Sequence, residues 1–153
     1  MAGTRSVPML SLEAAVVASE AAQQKAKEMG IDFNIALVDG TLHLLHFTRM
    51  PNAKLTSIDI SINKAFTAAG HRAPTSIYTN SKNFLPGGPG YSIHNSNAGR
   101  FSLIGGGIPI TVDGQVVGAI GVSTGTPAQD IEVATAGVDA VNAWIKRKQG
   151  PKL

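Results

Sequence analysis

Three side chains capable of chemistry, Lys64, Thr67 and His71, follow one another at helical spacing near the middle of the chain. Residues three and four positions apart share one face of a helix, so an ammonium, a hydroxyl and an imidazole would point toward one pocket. Such a set can stabilise an anion, transfer a proton or, through the imidazole, coordinate a metal. We predict that Lys64 and His71 are catalytic, that Thr67 contacts the ligand and that His71 is the metal ligand.

The same helix also has a structural interpretation. Lys64 would then satisfy carbonyl groups from a buried position, while His71 would simply end the helix beside Gly70. A lysine on an otherwise apolar helix is unfavourable unless it is paired or used in function. The sequence leaves both interpretations of Lys64 open.

Two further histidines, His43 and His46, stand three positions apart in an alternating apolar segment. Side chains three apart on a strand point to opposite faces of the sheet, so these two imidazoles cannot share one metal ion. Each could act alone as an axial ligand or a proton shuttle, or be an ordinary half-exposed strand residue.

The segment from Tyr91 to Arg100 carries a phenol, an imidazole, amides and a guanidinium close to a run of three glycines. It could form a pocket wall, or else a solvated loop closed by Asx turns. A strand pattern follows the glycines, whereas a phosphate-binding loop leads into the N-terminus of a helix. Because glycine has no side chain, a ligand or another chain could approach the backbone closely at this point. Besides Thr67, the predicted ligand contacts are Arg72, Tyr91, His94, Arg100, Gly105, Gly106 and Gly107.

Helices and short strands must position these residues. Helical spacing of apolar residues predicts three helices, at residues 11–29, 55–71 and 126–149. Alternation predicts five strands, at residues 33–38, 42–49, 101–104, 108–112 and 115–122. Asp113-Gly114 is typical of a tight hairpin turn, and residues 74–97 have no sustained periodicity. The order predicts an α+β fold with a five-stranded, mainly antiparallel sheet flanked by helices.

The size and composition of the chain bound its function. At 153 residues we expect a single domain over residues 1–153, with a core at about 10–148. The absence of cysteine excludes disulfides, thiolate zinc sites and iron–sulfur clusters. No apolar run approaches the length of a membrane span, so a cytoplasmic protein is expected. The net charge of +3 favours a small anionic ligand, but no basic stripe with interleaved aromatic rings indicates a nucleic-acid partner.

Several strings in the sequence occur together in the order of a known family. They are SIDISINKAFTAAGHRAPT at residues 57–75, GGGIPI at 105–110 and DGQVVGAIGVSTGTPAQD at 113–130. From about Leu10 to Val141 the chain resembles the GlcG/HbpS-like family, also called the haem-degrading domain family. It differs at Leu42 and Thr124, two positions at which many members carry glycine.

The resemblance carries expectations of its own. It implies a five-stranded antiparallel sheet flanked by helices, assembly into homo-oligomers from dimers to octamers, and haem binding in some members. His43 matches a position at which the family often has histidine and is therefore a third catalytic candidate. If haem binds, a histidine would coordinate the iron, and Arg72 or Arg100 would be available for a propionate.

Three functions remain open on the sequence. The first is an oligomeric protein of haem-binding or haem-degrading type. The second is a cofactor-free enzyme of lyase, isomerase or hydrolase type that acts on a small oxygenated metabolite. In that enzyme His71 or His43 would be the general acid or base, and Lys64 or Arg100 would stabilise an anion. The third is an accessory or assembly protein whose lysine and glycines serve packing.

Overall fold

Three helices form where the apolar spacing predicts them in the computed structural model, which describes residues 2–151. They are α1 (Leu12–Met29), α2 (Ser57–His71) and α3 (Pro127–Gln149). The Ser11 side chain caps the start of α1, and Gly30 ends that helix in a left-handed conformation. A capping box starts α3, in which the side chains of Thr126 and Gln129 each accept a backbone N–H.

Four strands form one sheet in which every neighbouring pair is antiparallel. The strands are β1 (Asn34–Asp39), β2 (Leu44–Arg49), β3 (Gly107–Val112) and β4 (Gln115–Ser123). Their order across the sheet is β2-β1-β4-β3. The hairpin of β1 and β2 therefore joins the hairpin of β3 and β4 through the pairing of β1 with β4. Strands β2 and β3 form the two edges of the sheet.

The prediction of a fifth strand at residues 101–104 is wrong, although the α+β class and the antiparallel sheet are confirmed. The backbone of this segment bonds to side chains rather than to a neighbouring strand. The N–H of Ser102 donates to the hydroxyl of Thr67, and the hydroxyl of Thr75 donates to the carbonyl of Ile104. Two hydroxyls thus supply the partners that a strand would have needed.

The segment before it, predicted as a loop over residues 74–97, contains only single turns of 3₁₀ helix. These turns lie at Thr75–Tyr78, Lys82–Phe84, Tyr91–Asn95 and Asn97–Gly99. Short 3₁₀ turns are common connectors where no long hydrogen-bonded ladder forms. The segment therefore crosses from the end of α2 to β3 without adding a layer to the fold.

The sheet separates two apolar layers because the side chains of its strands alternate between faces. Ile35 and Leu37 face α1 and α3 in the larger core. Ala36 and Val38 face α2 in the smaller one. The architecture is accordingly a three-layer arrangement in which α2 alone covers one face of the sheet.

Backbone angles confirm the turn predicted at Asp113-Gly114. Asp113 has a φ of 49° and Gly114 a φ of 77°, as the two central residues of a tight hairpin turn require. Leu42 and Thr124, the two residues that stand where glycine is common, also have positive φ angles of 70° and 151°. Each holds a side chain in a region that glycine occupies without strain.

Helix α2 lies directly on β4 because Gly121 has no side chain. A Cβ at this position would lie 2.0 Å from the carbonyl oxygen of Ser61 and 2.5 Å from the backbone nitrogen of Ala65. These are backbone atoms of the helix, so a rotamer change could not relieve the clash. The absence of one methyl group therefore sets the distance between α2 and the sheet.

We expect Gly121→Ala to lower the free energy of unfolding by about 1–3 kcal/mol, because the helix must move away from the strand. The matched control is Gly40→Ala, where the added Cβ meets its nearest atom at an ordinary 3.4 Å. Urea unfolding followed by circular dichroism measures both variants. Equal stability of the two variants would contradict the prediction that the contact between α2 and β4 leaves no room for a methyl group.

Candidate functional site

A cavity of about 290 Å³ lies at the C-terminal end of α2, between this helix, the turn before β2 and the 3₁₀ turns. Its lining includes Leu42, Phe66, Thr67, His71, Ile93 and Phe101. The structure thus brings together Thr67 and His71 as the helical spacing predicted, and Lys64 is not part of the lining. The walls combine apolar side chains with one imidazole, the hydroxyls of Thr67 and Ser96, and the amide of Asn97. We call this space the His71 cavity.

The imidazole of His71 is held in place by aromatic neighbours. Its Nδ1 atom is hydrogen-bonded to the hydroxyl of Tyr78, whose side chain is buried. The two rings stack at a centroid distance of 5.4 Å, and Phe101 meets the imidazole edge-on at 4.8 Å. Within residues 2–151 the Nε2 atom of His71 has no hydrogen-bond partner. A ring fixed through one nitrogen presents the other to a ligand.

Thr67 has a structural task as well as a place in the cavity wall. Its hydroxyl donates to the carbonyl of Asn63 at 2.8 Å and accepts the N–H of Ser102 at the same distance. The residue therefore ties the segment after the 3₁₀ turns to α2. A ligand in the cavity would meet a hydroxyl whose hydrogen is already engaged.

Arg100 is half-buried and is not itself part of the lining of the His71 cavity. The carbon at the centre of its guanidinium lies 4.0 Å from the centroid of the Phe66 ring, which lines the cavity. A guanidinium over an aromatic face is a stabilising cation–π contact. Among residues 2–151 Arg100 forms no ion pair with a carboxylate, so its charge remains available to an anionic group.

The other predicted histidine candidates lie outside the cavity. His94 and Tyr91 are both exposed and pack edge-on at 5.3 Å, while Ile93 between them turns inward. His43 precedes β2 and is exposed, and its Nδ1 atom lies 2.9 Å from the carbonyl oxygen of Thr41. Neither imidazole is part of the lining of the His71 cavity.

Lys64 belongs to a buried ion pair. Its ammonium lies 2.7 Å from the Oδ2 atom of Asp130 and donates to the carbonyl of Val122 at 2.9 Å, and the two charged side chains are 1% and 3% exposed. The other carboxylate oxygen of Asp130 accepts the N–H of Gly125. Lys64 is therefore paired, as the structural interpretation of the helix required.

Burial dominates the electrostatics of this pair. Loss of solvent lowers the pKa of Lys64, opposed by the hydrogen bond and charge of Asp130. Burial likewise raises the pKa of Asp130, opposed by Lys64 and by backbone N–H groups. Each group would be easier to ionise in water, so the pair fixes positions more than it adds net stability.

The three glycines that were predicted to contact a ligand are buried against the chain's own atoms. A Cβ on Gly106 would lie 2.7 Å from the carbonyl oxygen of Val122 and 2.9 Å from the ammonium of Lys64. A Cβ on Gly107 would lie 2.4 Å from the carbonyl oxygen of Lys64, and its N–H donates to Thr75. The missing side chains of Gly106 and Gly107 therefore leave room for α2 and for the ion pair of Lys64 and Asp130.

Arg72 points to a different space from His71. It ends α2 in a left-handed conformation with a φ of 57°. Its side chain lines a separate cleft of about 580 Å³ together with Arg5 from the N-terminal segment. The end of α2 therefore serves two cavities, one with an imidazole and one with guanidinium groups.

Three residues that were not predicted to be functional contact His71 or Lys64. Tyr78 and Phe101 orient His71, and Asp130 neutralises Lys64. A signal existed for Asp130, because a buried lysine needs a carboxylate and this residue is the acidic one in the first turn of α3. Tyr78 had no comparable signal, since it lies in the segment without periodicity.

Two kinds of site are absent from the part of the chain that the structure describes. Over residues 2–151 no cluster of three or more His, Asp or Glu side chains could hold a metal ion. Over the same range no helix combines the length and the apolar character that crossing a membrane requires.

The fold and the matched sequence define the class of this protein. Residues 10–139 match the family described as haem degrading protein HbpS-like, and the chain belongs to that family. It is 35% identical over 136 residues to an uncharacterized 15.0 kDa protein encoded in the dhaT-dhaS intergenic region of Citrobacter freundii, covering 89% of this chain and 94% of that one.

Two crystal structures extend the comparison to three dimensions. The Klebsiella pneumoniae protein ORFY superposes with a TM-score of 0.88 at 34% identity, covering 94% of this chain and 97% of that one. A PduOC–haem complex superposes with a TM-score of 0.81 at 27% identity, covering 88% of this chain and 96% of that one. The second is a haem complex on a similar fold.

Replacing Lys64 with methionine leaves the carboxylate of Asp130 buried without its cation, so we expect a loss of about 3–5 kcal/mol in unfolding free energy. Adding Asp130→Asn removes that charge and keeps an amide oxygen for Gly125, so the double variant should recover a large part of the loss. Guanidinium unfolding measures both.

The matched control for this experiment is Lys25→Met. Lys25 pairs with Glu132 at a similar 2.9 Å but on the surface, so its loss should change stability by less than about 1 kcal/mol. A Lys64→Met variant as stable as this control would contradict a structural role for the buried pair.

Proposed function

We propose that this protein binds haem at the His71 cavity, with His71 as the iron ligand. The observation that carries the proposal is the imidazole of His71, fixed through Nδ1 by Tyr78 and with Nε2 lacking a partner within residues 2–151. Metal-binding histidines characteristically use one nitrogen for the metal and the other for an orienting hydrogen bond. The haem complex of a similar fold supports the choice of cofactor.

The walls of the cavity suit the edge of a porphyrin. Leu42, Phe66 and Phe101 offer apolar and aromatic surface, which a flat macrocycle can contact on both faces. The volume of about 290 Å³ lies at the lower end of ligand pockets, so one protomer would enclose only part of the macrocycle. The remainder would lie against neighbouring surface or a second copy of the chain.

Arg100 is the residue we assign to a haem propionate. Its guanidinium lies over Phe66, a residue of the cavity lining, and has no carboxylate partner among residues 2–151. A guanidinium can form two parallel hydrogen bonds to one carboxylate. Bound haem would supply iron redox chemistry, while His71, Tyr78 and Arg100 would bind and orient it.

A cofactor-free enzyme is the second candidate, and the size of the cavity favours it. A space of about 290 Å³ holds a small metabolite entirely, beside an imidazole that is hydrogen-bonded to a phenol. In that function His71 would transfer the proton and Arg100 would stabilise the anion. Lys64 and His43 would not take part, since one is ion-paired in the interior and the other lies outside the cavity.

Haem titration followed by visible absorption tests the first proposal. We expect a Soret band shift in the wild-type protein and a loss of more than about tenfold in affinity for His71→Asn, because even an orienting partner of a metal ligand contributes that factor. Tyr78→Phe should weaken binding in the same direction. The matched controls are His43→Asn and His94→Asn, which should bind as the wild type does.

A wild-type protein that leaves the haem spectrum unchanged would contradict the proposal and leave the metabolite enzyme or an accessory role. Equal affinity of His71→Asn and the controls would move the haem site elsewhere.

We also propose that the chain forms a homo-oligomer of at least two copies. Val7, Met9 and Leu12 are each more than half exposed, and β3 forms hydrogen bonds to a neighbouring strand on one side only. Exposed apolar side chains and an open sheet edge favour association. Light scattering at micromolar concentration should give the mass of a dimer or larger, and a monomer mass would contradict the proposal.

A further inference from the structure

We propose that the cleft between Arg5 and Arg72 is a binding site for a small organic oxyanion, a carboxylate or a phosphate ester. This cleft of about 580 Å³ is separate from the His71 cavity, and the inference does not depend on haem binding. Arg5 comes from the N-terminal segment and Arg72 from the end of α2. The floor is made of small residues, including Gly40, Ala69 and Gly114.

The charge in the cleft is uncompensated within the described chain. Three ion pairs form among residues 2–151, and none includes Arg5 or Arg72. No carboxylate from residues 2–151 lines the cleft. Both arginines are exposed, and an oxyanion held between them would interact with two positive charges.

Two acidic residues precede glycines of the cleft lining, Asp39 before Gly40 and Asp113 before Gly114. The carboxylate of Asp39 accepts hydrogen bonds from the N–H and the hydroxyl of Thr41. Asp113, which precedes Gly114, lines a different cavity on the side of α3. Within residues 2–151 neither carboxylate lines the cleft or forms an ion pair with Arg5 or Arg72.

The cleft is built to hold more than a point charge. Arg72 extends from a fixed helix end, because its N–H donates to the carbonyl of Ala68. Ser6, Thr111 and Gln115 add hydroxyl and amide groups that can hydrogen-bond the rest of a polar ligand. A volume of about 580 Å³ falls within the range of small-molecule pockets and exceeds what inorganic phosphate alone would fill.

Calorimetric titration with succinate and with glycerol 3-phosphate, each against sodium chloride of equal ionic strength, tests the site and distinguishes the two chemistries. We expect saturable binding of at least one probe. Arg5→Gln and Arg72→Gln should each weaken that binding by about tenfold or more, the factor typical of a lost hydrogen bond between charged groups.

Arg49→Gln is the matched control. Arg49 is exposed at the end of β2 and does not line the cleft, so its loss should change affinity by less than about twofold once salt screens distant charges. Melting temperatures without ligand verify that all three variants are folded.

Amide chemical shifts supply an independent measurement on the wild-type protein. Binding should move the resonances of Gly40, Thr111 and Gly114 and leave in place that of Phe101, which lines the His71 cavity. The proposal is overturned if neither probe saturates, if the variants bind as tightly as the control, or if the shifts cluster away from these residues.

Discussion

The buried ion pair between Lys64 and Asp130 is the contact on which the arrangement of the layers depends. Lys64 comes from α2 on one face of the sheet and Asp130 from the first turn of α3 on the other, so the 2.7 Å contact joins the two helical layers past the end of β4. The ammonium also bonds the carbonyl of Val122, and Gly106 leaves room for it. Because two buried charges must meet in one geometry, this junction has little freedom of position.

The position of the His71 cavity follows from that junction. Helix α2 is fixed against β4 by the pair and by the direct backbone contact at Gly121, so His71 emerges from a rigid element. The facing wall is irregular and is attached to the same helix through Thr67 and Ser102. In this site a helix holds the imidazole rigidly, and short turns form the opposite wall. Binding sites are commonly built in this way, from loops positioned by a rigid scaffold.

The sequence predicted the elements well and their long-range partners poorly. Helical spacing correctly placed Lys64 and His71 on one helix face, but these residues are two turns, about 10 Å, apart along the axis. Lys64 therefore meets the end of the sheet while His71 lies beyond it. Asp130 is 66 positions from Lys64, and no local pattern encodes such a contact. The failed strand at 101–104 has the same origin, since its hydrogen bonds go to side chains elsewhere in the chain.

Leu42 connects the smaller core to the wall of the His71 cavity. It adopts a φ of 70°, a conformation that costs a residue with a side chain about 1–2 kcal/mol, and its side chain packs beside Gly70 and forms part of the wall of the His71 cavity. Most substitutions in a protein lower stability, whereas glycine at this position would relieve strain. The leucine side chain also packs against the smaller core, so its burial offsets part of that strain. Because one side chain both packs on the smaller core and forms part of the cavity wall, a change at this position alters the packing of the core and the shape of the cavity together.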